Sequence, residues 1–166
     1  MKVNIALLTV TDTRTIDNDK SGGILVNKIK EANHNLTDRK ICKDNKDEII
    51  VILKQWLINE KIDVIITTGG TGLTGRDITP EALDEIADKH IPGFGEIFRY
   101  FSLETVGTSS IQSRACAVLS NGKYIFALPG SSGGVTDAWD KILIYQLDVN
   151  HKPCNFVELF PRLKEK

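Results

Sequence analysis

The sequence predicts an α/β domain with a mostly parallel sheet and helices on both of its faces. Three observations predict it. Short apolar, β-branched runs recur along the chain, stretches of helical periodicity fill the intervals between them, and each strong run is followed by a polar loop of small residues. Strands alternating with helices imply βαβ units, whose crossovers lie against the sheet.

The first run covers residues 4–11, within "MKVNIALLTV". It is too short for a signal peptide, carries Asn4 and Thr9, and meets Asp12 and Arg14 without a small-residue cleavage site. A first strand is therefore expected. Ile24, Leu25 and Ile29 then mark a short helix, and residues 39–42 a weaker strand. Asp44 or Asn45 caps the next helix, whose buried stripe is Ile49, Ile50, Leu53, Trp56 and Leu57. Residues 64–68 read as a fully buried strand. Leu83, Ile86 and Ala87 mark the helix after it, with Thr79 as cap and Pro80 at its first position. Beyond the breaker "IPGFG" come Phe94, Ile97, Phe98 and Phe101, then a strand over 124–128, then Val135, Trp139, Ile142 and Leu143. From Asn150 onward the chain holds two prolines and no clear period. One domain over residues 1–150 is expected, with 151–166 an arm packing on it or on a neighbouring subunit.

Composition narrows the function classes. The 166 residues carry a net charge of −1, whereas a sequence-independent nucleic-acid binder needs a basic surface. No stretch approaches the roughly 20 apolar residues of a membrane span. Cys42, Cys116 and Cys154 are odd in number and far apart, which favours reduced thiols in the cytoplasm over disulfides or a zinc site.

The post-strand loops read "TVTDTRTIDNDKSGG", "TTGGTGLTGRDITPEA" and "ALPGSSGG". In a parallel sheet such loops share the edge where ligands bind. The middle loop spends about ten residues and four glycines, against roughly 2–6 residues for an ordinary βα connection. It contains G-x-G-x-x-G, but a dinucleotide fold would start its helix inside the glycines, where Pro80 would break it. It also lacks the lysine of a nucleotide-triphosphate P-loop. An NAD(P) oxidoreductase thus rests on the glycine pattern alone.

Backbone amides of such a loop are suited to cradle an anion, with Thr67, Thr68, Thr71, Thr74 and Thr79 as added hydroxyl donors; a Thr-decorated turn is the plainer reading. Asp77 either caps the helix or, beside a phosphate, needs a bridging cation. Mg²⁺ takes one or two protein carboxylates plus phosphate oxygens and water. Arg76 either neutralises developing charge or is a solvated surface group.

"TTGGTGLTGRDITPEAL" resembles the MoaB/Mog family of molybdenum cofactor biosynthesis proteins. "TVTDTRTIDNDKSGG" resembles that family's first loop, "GTSSIQSRACAVL" its late helix and "ALPGSSGG" its second glycine loop, while "FGEIFRYFS" and "KPCNF" resemble the B-type branch. The resemblance implies a three-layer α/β/α sandwich assembled as a homo-oligomer, trimer or hexamer, and partnership with other molybdenum cofactor enzymes. It implies an adenylyltransferase that joins the AMP part of ATP to the terminal phosphate of molybdopterin, with Mg²⁺, releasing pyrophosphate. A molybdopterin carrier without catalysis is the alternative.

Carried across, Asp77 and Asp44 match catalytic, metal-holding aspartates, and Gly69, Gly70, Thr71 and Gly72 the phosphate cradle, with Arg76 beside it. Ser110, Arg114, Pro129, Gly130 and Ser131 match the pterin pocket, and Asp12, Ser21 and Gly22 the first loop. Such chemistry needs no Cys or His, so His34, His90 and His151 receive no catalytic role. The Phe94, Phe98 and Phe101 stripe is expected to bury surface between subunits, or to fill the monomer core.

Overall fold

The computed structural model describes residues 1–165. Strand periodicity builds two cores from single strands. In β1 (Asn4–Val10), Ile5 and Leu7 enter one core while Ala6 and Leu8 enter the other, because successive side chains leave opposite faces of a strand. β3 (Val64–Thr68) and β6 (Lys123–Leu128) divide their residues the same way. On one face lie α1 (Lys20–Glu31), α4 (Pro92–Val106) and α5 (Ser132–Ala138); on the other lie α2 (Lys46–Leu57) and α3 (Thr79–Ile86). The result is a three-layer α/β/α sandwich.

Six strands form the sheet in the order β2-β1-β3-β6-β5-β4. β2 (Asn35–Cys42), β1, β3 and β6 are parallel neighbours. β5 (Cys116–Ser120) and the two-residue β4 (Lys89–His90) extend it antiparallel.

Several expectations need correction. The segment resembling a late helix is a 3₁₀ turn, Gly107–Gln112, followed by strand β5. β5 turns into β6 through Asn121 and Gly122, both at positive φ (46° and 71°), the arrangement that a tight hairpin requires. β2 starts at Asn35, where half-buried residues of a flanking strand carry a weaker apolar signal. Helix α4 begins at Pro92, so the supposed breaker forms its first turn. Phe94 and Phe98 are core residues of the single chain, at 3% and 2% exposure. The apolar stripe that α4 leaves outside is Ile97, Tyr100, Leu103 and Val106.

After α5 the helix widens into a π turn, Trp139–Leu143, that keeps Trp139 and Leu143 buried. The C-terminal segment then folds back on this chain. A 3₁₀ turn, Val157–Arg162, seats beside β6, with the Phe156 ring 4.6 Å and the Phe160 ring 5.8 Å from that of Tyr124. No helix among the described residues is long and apolar enough to cross a membrane.

Candidate functional site

β1, β3 and β6 are parallel, so the loops after them converge at one sheet edge. There they enclose a cleft of about 790 Å³, closed on its far side by α4 and the 3₁₀ turn after it. Asp44, Asp77, Ser21, Ser110, Gly69 to Gly72, and Pro129 to Ser131 all line it. Asp12, Gly22, Arg76 and Arg114 stand behind or beside this lining.

The glycine loop is held from several sides. Gly69 takes φ of +102°, and a Cβ on it would come 2.2 Å from the Val10 carbonyl oxygen. Its own N–H donates to Leu128 O at 3.0 Å. Thr79 was expected to cap α3, but its hydroxyl donates to Gly69 O at 2.9 Å and Ile78 holds the cap position without a side-chain bond. Thr68 donates to Pro129 O at 2.7 Å, joining the two glycine loops. These hydroxyl hydrogens are therefore spent inside the protein rather than offered to an anion, contrary to the expectation for Thr68 and Thr79.

Arg114 does not turn its guanidinium into the cleft. It donates to Gly72 O at 2.7 Å and Asp77 O at 2.6 Å, and it pairs with Glu81. Its backbone N–H adds a bond to Thr71 O at 2.8 Å. The planar fork thus braces the loop between Thr71 and Asp77 from behind.

The two carboxylates differ in state. Asp77 Oδ2 accepts from the backbone N–H and the hydroxyl of Thr74, at 2.9 and 2.7 Å. Burial opposes its charge, but the Thr74 bonds, the Gly72 amide and Arg114 outweigh burial and hold the carboxyl below the usual range. Asp44 goes the other way: burial first, then the Asp77 charge, push it above the usual range. Asp44 is not the cap of α2, because Asn45 fills that role by accepting from Glu48 N at 3.1 Å. The Asp44 N–H instead donates to Asp12 Oδ1 at 3.2 Å, and Asp12 pairs with Arg76. The two catalytic candidates flank one loop: a Cβ on Gly70 would lie 3.4 Å from Asp44 Oδ1, and one on Gly72 would lie 2.7 Å from Asp77 Oδ2.

Two carboxylates and no third ligand suit Mg²⁺, which fills its octahedron with phosphate oxygens and water. Among the described residues no group of three or more His, Cys, Asp or Glu forms a metal cage.

Sequence reasoning missed the residue beneath the first loop. Asp19 is 4% exposed, caps α1 through Gly22 N (3.0 Å), and accepts from Thr9 Oγ1 (2.6 Å) and Arg39 Nη2 (3.1 Å). Its one sequence signal is its place before "KSGG" at a helix start. The far wall supplied by α4 and α5, with Ser102, Thr105 and Asp137, was also missed. It comes from helical positions whose polar residues read as surface.

None of the three histidines lines the cleft, and His34 Nδ1 accepts from Val3 N–H at 3.2 Å. Burial pushes the Cys42 thiol up to about 12 and the Cys116 thiol to about 11.

Residues 6–149 match the family described as "Probable molybdopterin binding domain". The chain is 43% identical over 161 residues to molybdenum cofactor biosynthesis protein B of Escherichia coli K12, covering 97% of this chain and 93% of that protein. It is 45% identical over 152 residues to the protein of the same name from Staphylococcus aureus MRSA252, covering 90% and 89%. A crystal structure of a molybdenum cofactor biosynthesis protein B superposes with a TM-score of 0.90 at 38% identity, covering 100% of this chain and 98% of the other. The tungsten cofactor synthesizing protein MoaB of Pyrococcus furiosus gives a TM-score of 0.77 at 33% identity, covering 86% and 91%.

Proposed function

The chain belongs to the molybdopterin-binding-domain family of molybdenum cofactor biosynthesis proteins, and from that premise we propose that its cleft transfers the adenylyl group of ATP to the terminal phosphate of molybdopterin. A phosphate oxygen of molybdopterin attacks the α-phosphorus of ATP and forms the new P–O bond. The α–β phosphoanhydride bond breaks, and its electron pair leaves with pyrophosphate. Such a transfer asks the protein for positioning and charge neutralisation rather than for a nucleophile.

One observation carries the reading. Asp44 and Asp77 flank one glycine loop inside the cleft, Asp44 Oδ1 beside Gly70 and Asp77 Oδ2 beside Gly72; their like charges repel, and no helix cap explains the placement of Asp44. A cation between the two would relieve that repulsion. Asp44 and Asp77 would hold Mg²⁺, which supplies charge neutralisation on the phosphates when bound. The N–H groups of Gly70 and Thr71 would cradle phosphate oxygens. Arg114 and Glu81 fix the loop, while the Arg76–Asp12 pair ties its tip to the first loop. Pterin and adenosine would share the remainder of the cleft.

The test mixes the purified chain with molybdopterin and ATP, with and without Mg²⁺. Adenylated molybdopterin and an equal amount of pyrophosphate are expected, and only with the metal. Molybdopterin bound without pyrophosphate release at any Mg²⁺ concentration would make the chain a carrier instead.

A further inference from the structure

The arginine that braces the glycine loop is itself held. Half-buried Arg99, on α4, donates through Nη1 to Ser113 O at 3.3 Å and to Ala115 O at 3.2 Å. Those two carbonyls stand on either side of Arg114 in the chain. From the residue so anchored, Nε reaches Gly72 O at 2.7 Å, Nη2 reaches Asp77 O at 2.6 Å, and the backbone N–H reaches Thr71 O at 2.8 Å. Arg99 does not line the cleft, although Ser113 does. It lies in a separate hollow between α4 and β5, among Gly95, Ser113, Arg114 and Ala115. One glycine makes this crossing possible: a Cβ on Gly95 would lie 2.6 Å from Ala115 O and 3.0 Å from both terminal nitrogens of Arg99. Gly95 stands one turn before Arg99 on the same helix face, so α4 presses against the start of β5 while the guanidinium passes between them.

From this chain of contacts we infer that Arg99 is a positioning residue for Asp77 and acts through Arg114. It fixes the backbone on both sides of Arg114, and with it the angle at which the Arg114 fork meets the glycine loop. This rests on the reading of Asp77 as the metal-side carboxylate of the transfer. Residues 113–115 lie between the 3₁₀ turn Gly107–Gln112 and β5 and belong to no helix or strand. No regular ladder sets their place, so a charged side chain donating to their carbonyls does. A guanidinium suits the task because its donors sit in one rigid plane, whereas an ammonium on a flexible stem fixes no direction. Charge-assisted bonds of this kind are also roughly twice as strong as neutral ones. A shift of about 1 Å at a reacting group is enough to cost a large part of the rate, so the aim of Arg114 matters to Asp77 even though Arg99 touches neither the loop nor the cleft.

The experiment compares wild type, Arg99→Met, Arg99→Lys, Arg114→Lys and the Arg99→Met/Arg114→Lys double variant. Methionine keeps an unbranched apolar stem and removes every donor. Amide hydrogen exchange is read at Thr74 and Asp77, whose N–H groups donate to Asp77 Oδ2 at 2.9 Å and Thr74 O at 3.0 Å. The β3 amides serve as the reference for global stability. Arg99→Met is expected to speed exchange at Thr74 and Asp77 about tenfold, the scale of one lost hydrogen bond to a charged group, and Arg99→Lys by less. In the Arg114→Lys background the same substitution should add much less, because the two residues act along one route. The kcat for adenylyl transfer should fall in the same order. Faster exchange confined to residues 113–115, or fully additive effects of the two substitutions, would make Arg99 a tie between α4 and β5 only and overturn the inference. Unaltered kcat in Arg99→Met beside an active wild type would overturn it too. If Arg99→Met fails to fold, Arg99→Lys alone and combined with Arg114→Lys makes the same comparison. Exchange is read without substrate, so a wild type that transfers nothing counts against the transferase reading alone.

Discussion

Asp44, half-buried in the wall of the cleft, and Asp19, buried beneath the first loop, are carboxylates whose surroundings push them in opposite directions. The folded-state pKa of Asp44 is raised by burial and by Asp77. Folding therefore favours its protonated form, and the stability it contributes is lost as pH rises through that raised value. At neutral pH its charge is a net cost, so Asp44→Asn should raise Tm by about 1–3 °C while adenylyl transfer falls about a hundredfold. Calorimetry and a transfer assay on one preparation check both halves. Asp19 has the opposite sign: its pKa is lowered from 3.8, so its stabilisation is complete above that value and lost as pH falls through the lowered one. Asp19→Asn should cost about 3 kcal/mol at pH 7, the scale of a broken buried pair, and should flatten the acid limb of the stability curve in denaturant titrations. Asp77 was legible as a candidate because it stands in a glycine loop, whereas Asp44 read from its own position only as a helix cap and became a candidate through the family resemblance. Asp19 was not legible, because a buried carboxylate reads the same in sequence as a solvated one. Its partners Thr9 and Arg39 come from strands 10 and 20 residues away.

The glycine loop between β3 and α3 shows how far local pattern reaches at the scale of an element. Strand, loop and helix could be placed from buried β-branched residues, glycines and Pro80. The hydrogen-bond roles could not, because they depend on Leu128, Pro129 and Arg114, which other parts of the chain bring in. Thr79 looked like a cap and proved to be a strut to Gly69. Arg114→Lys loses the fork that holds Gly72 and Asp77. It should lower kcat about tenfold or more through misplacement of Asp77, with Glu81→Gln moving it in the same direction. Unaltered kcat in both variants would show that the brace is dispensable. The strand β5 was missed for a different reason. Its five residues, CAVLS, lack the β-branched run that marked the equally short β3, VIITT, and the deciding signal was the Asn121-Gly122 turn.

At the scale of the whole molecule, the alternation of strands and helices was enough to foresee a mostly parallel sheet with two helical layers. It did not reveal which aromatic rings the single chain buries. Phe94 and Phe98 fill the core, which leaves Ile97, Tyr100, Leu103 and Val106 exposed along one face of α4. The homo-oligomer implied by the family resemblance is expected to use this face. Light scattering should give the mass of three or six chains, and Leu103→Glu should shift it toward one; a wild-type monomer at micromolar concentration would contradict that. The measurement that tests the assignment of the cleft most directly is adenylyl transfer by wild type and Asp77→Ala, with molybdopterin, ATP and Mg²⁺. The expected result is adenylated molybdopterin from wild type and none from a variant that keeps its fold, because Asp77 lies in a loop. Equal turnover by the two would contradict the placement of the chemistry between Asp44 and Asp77.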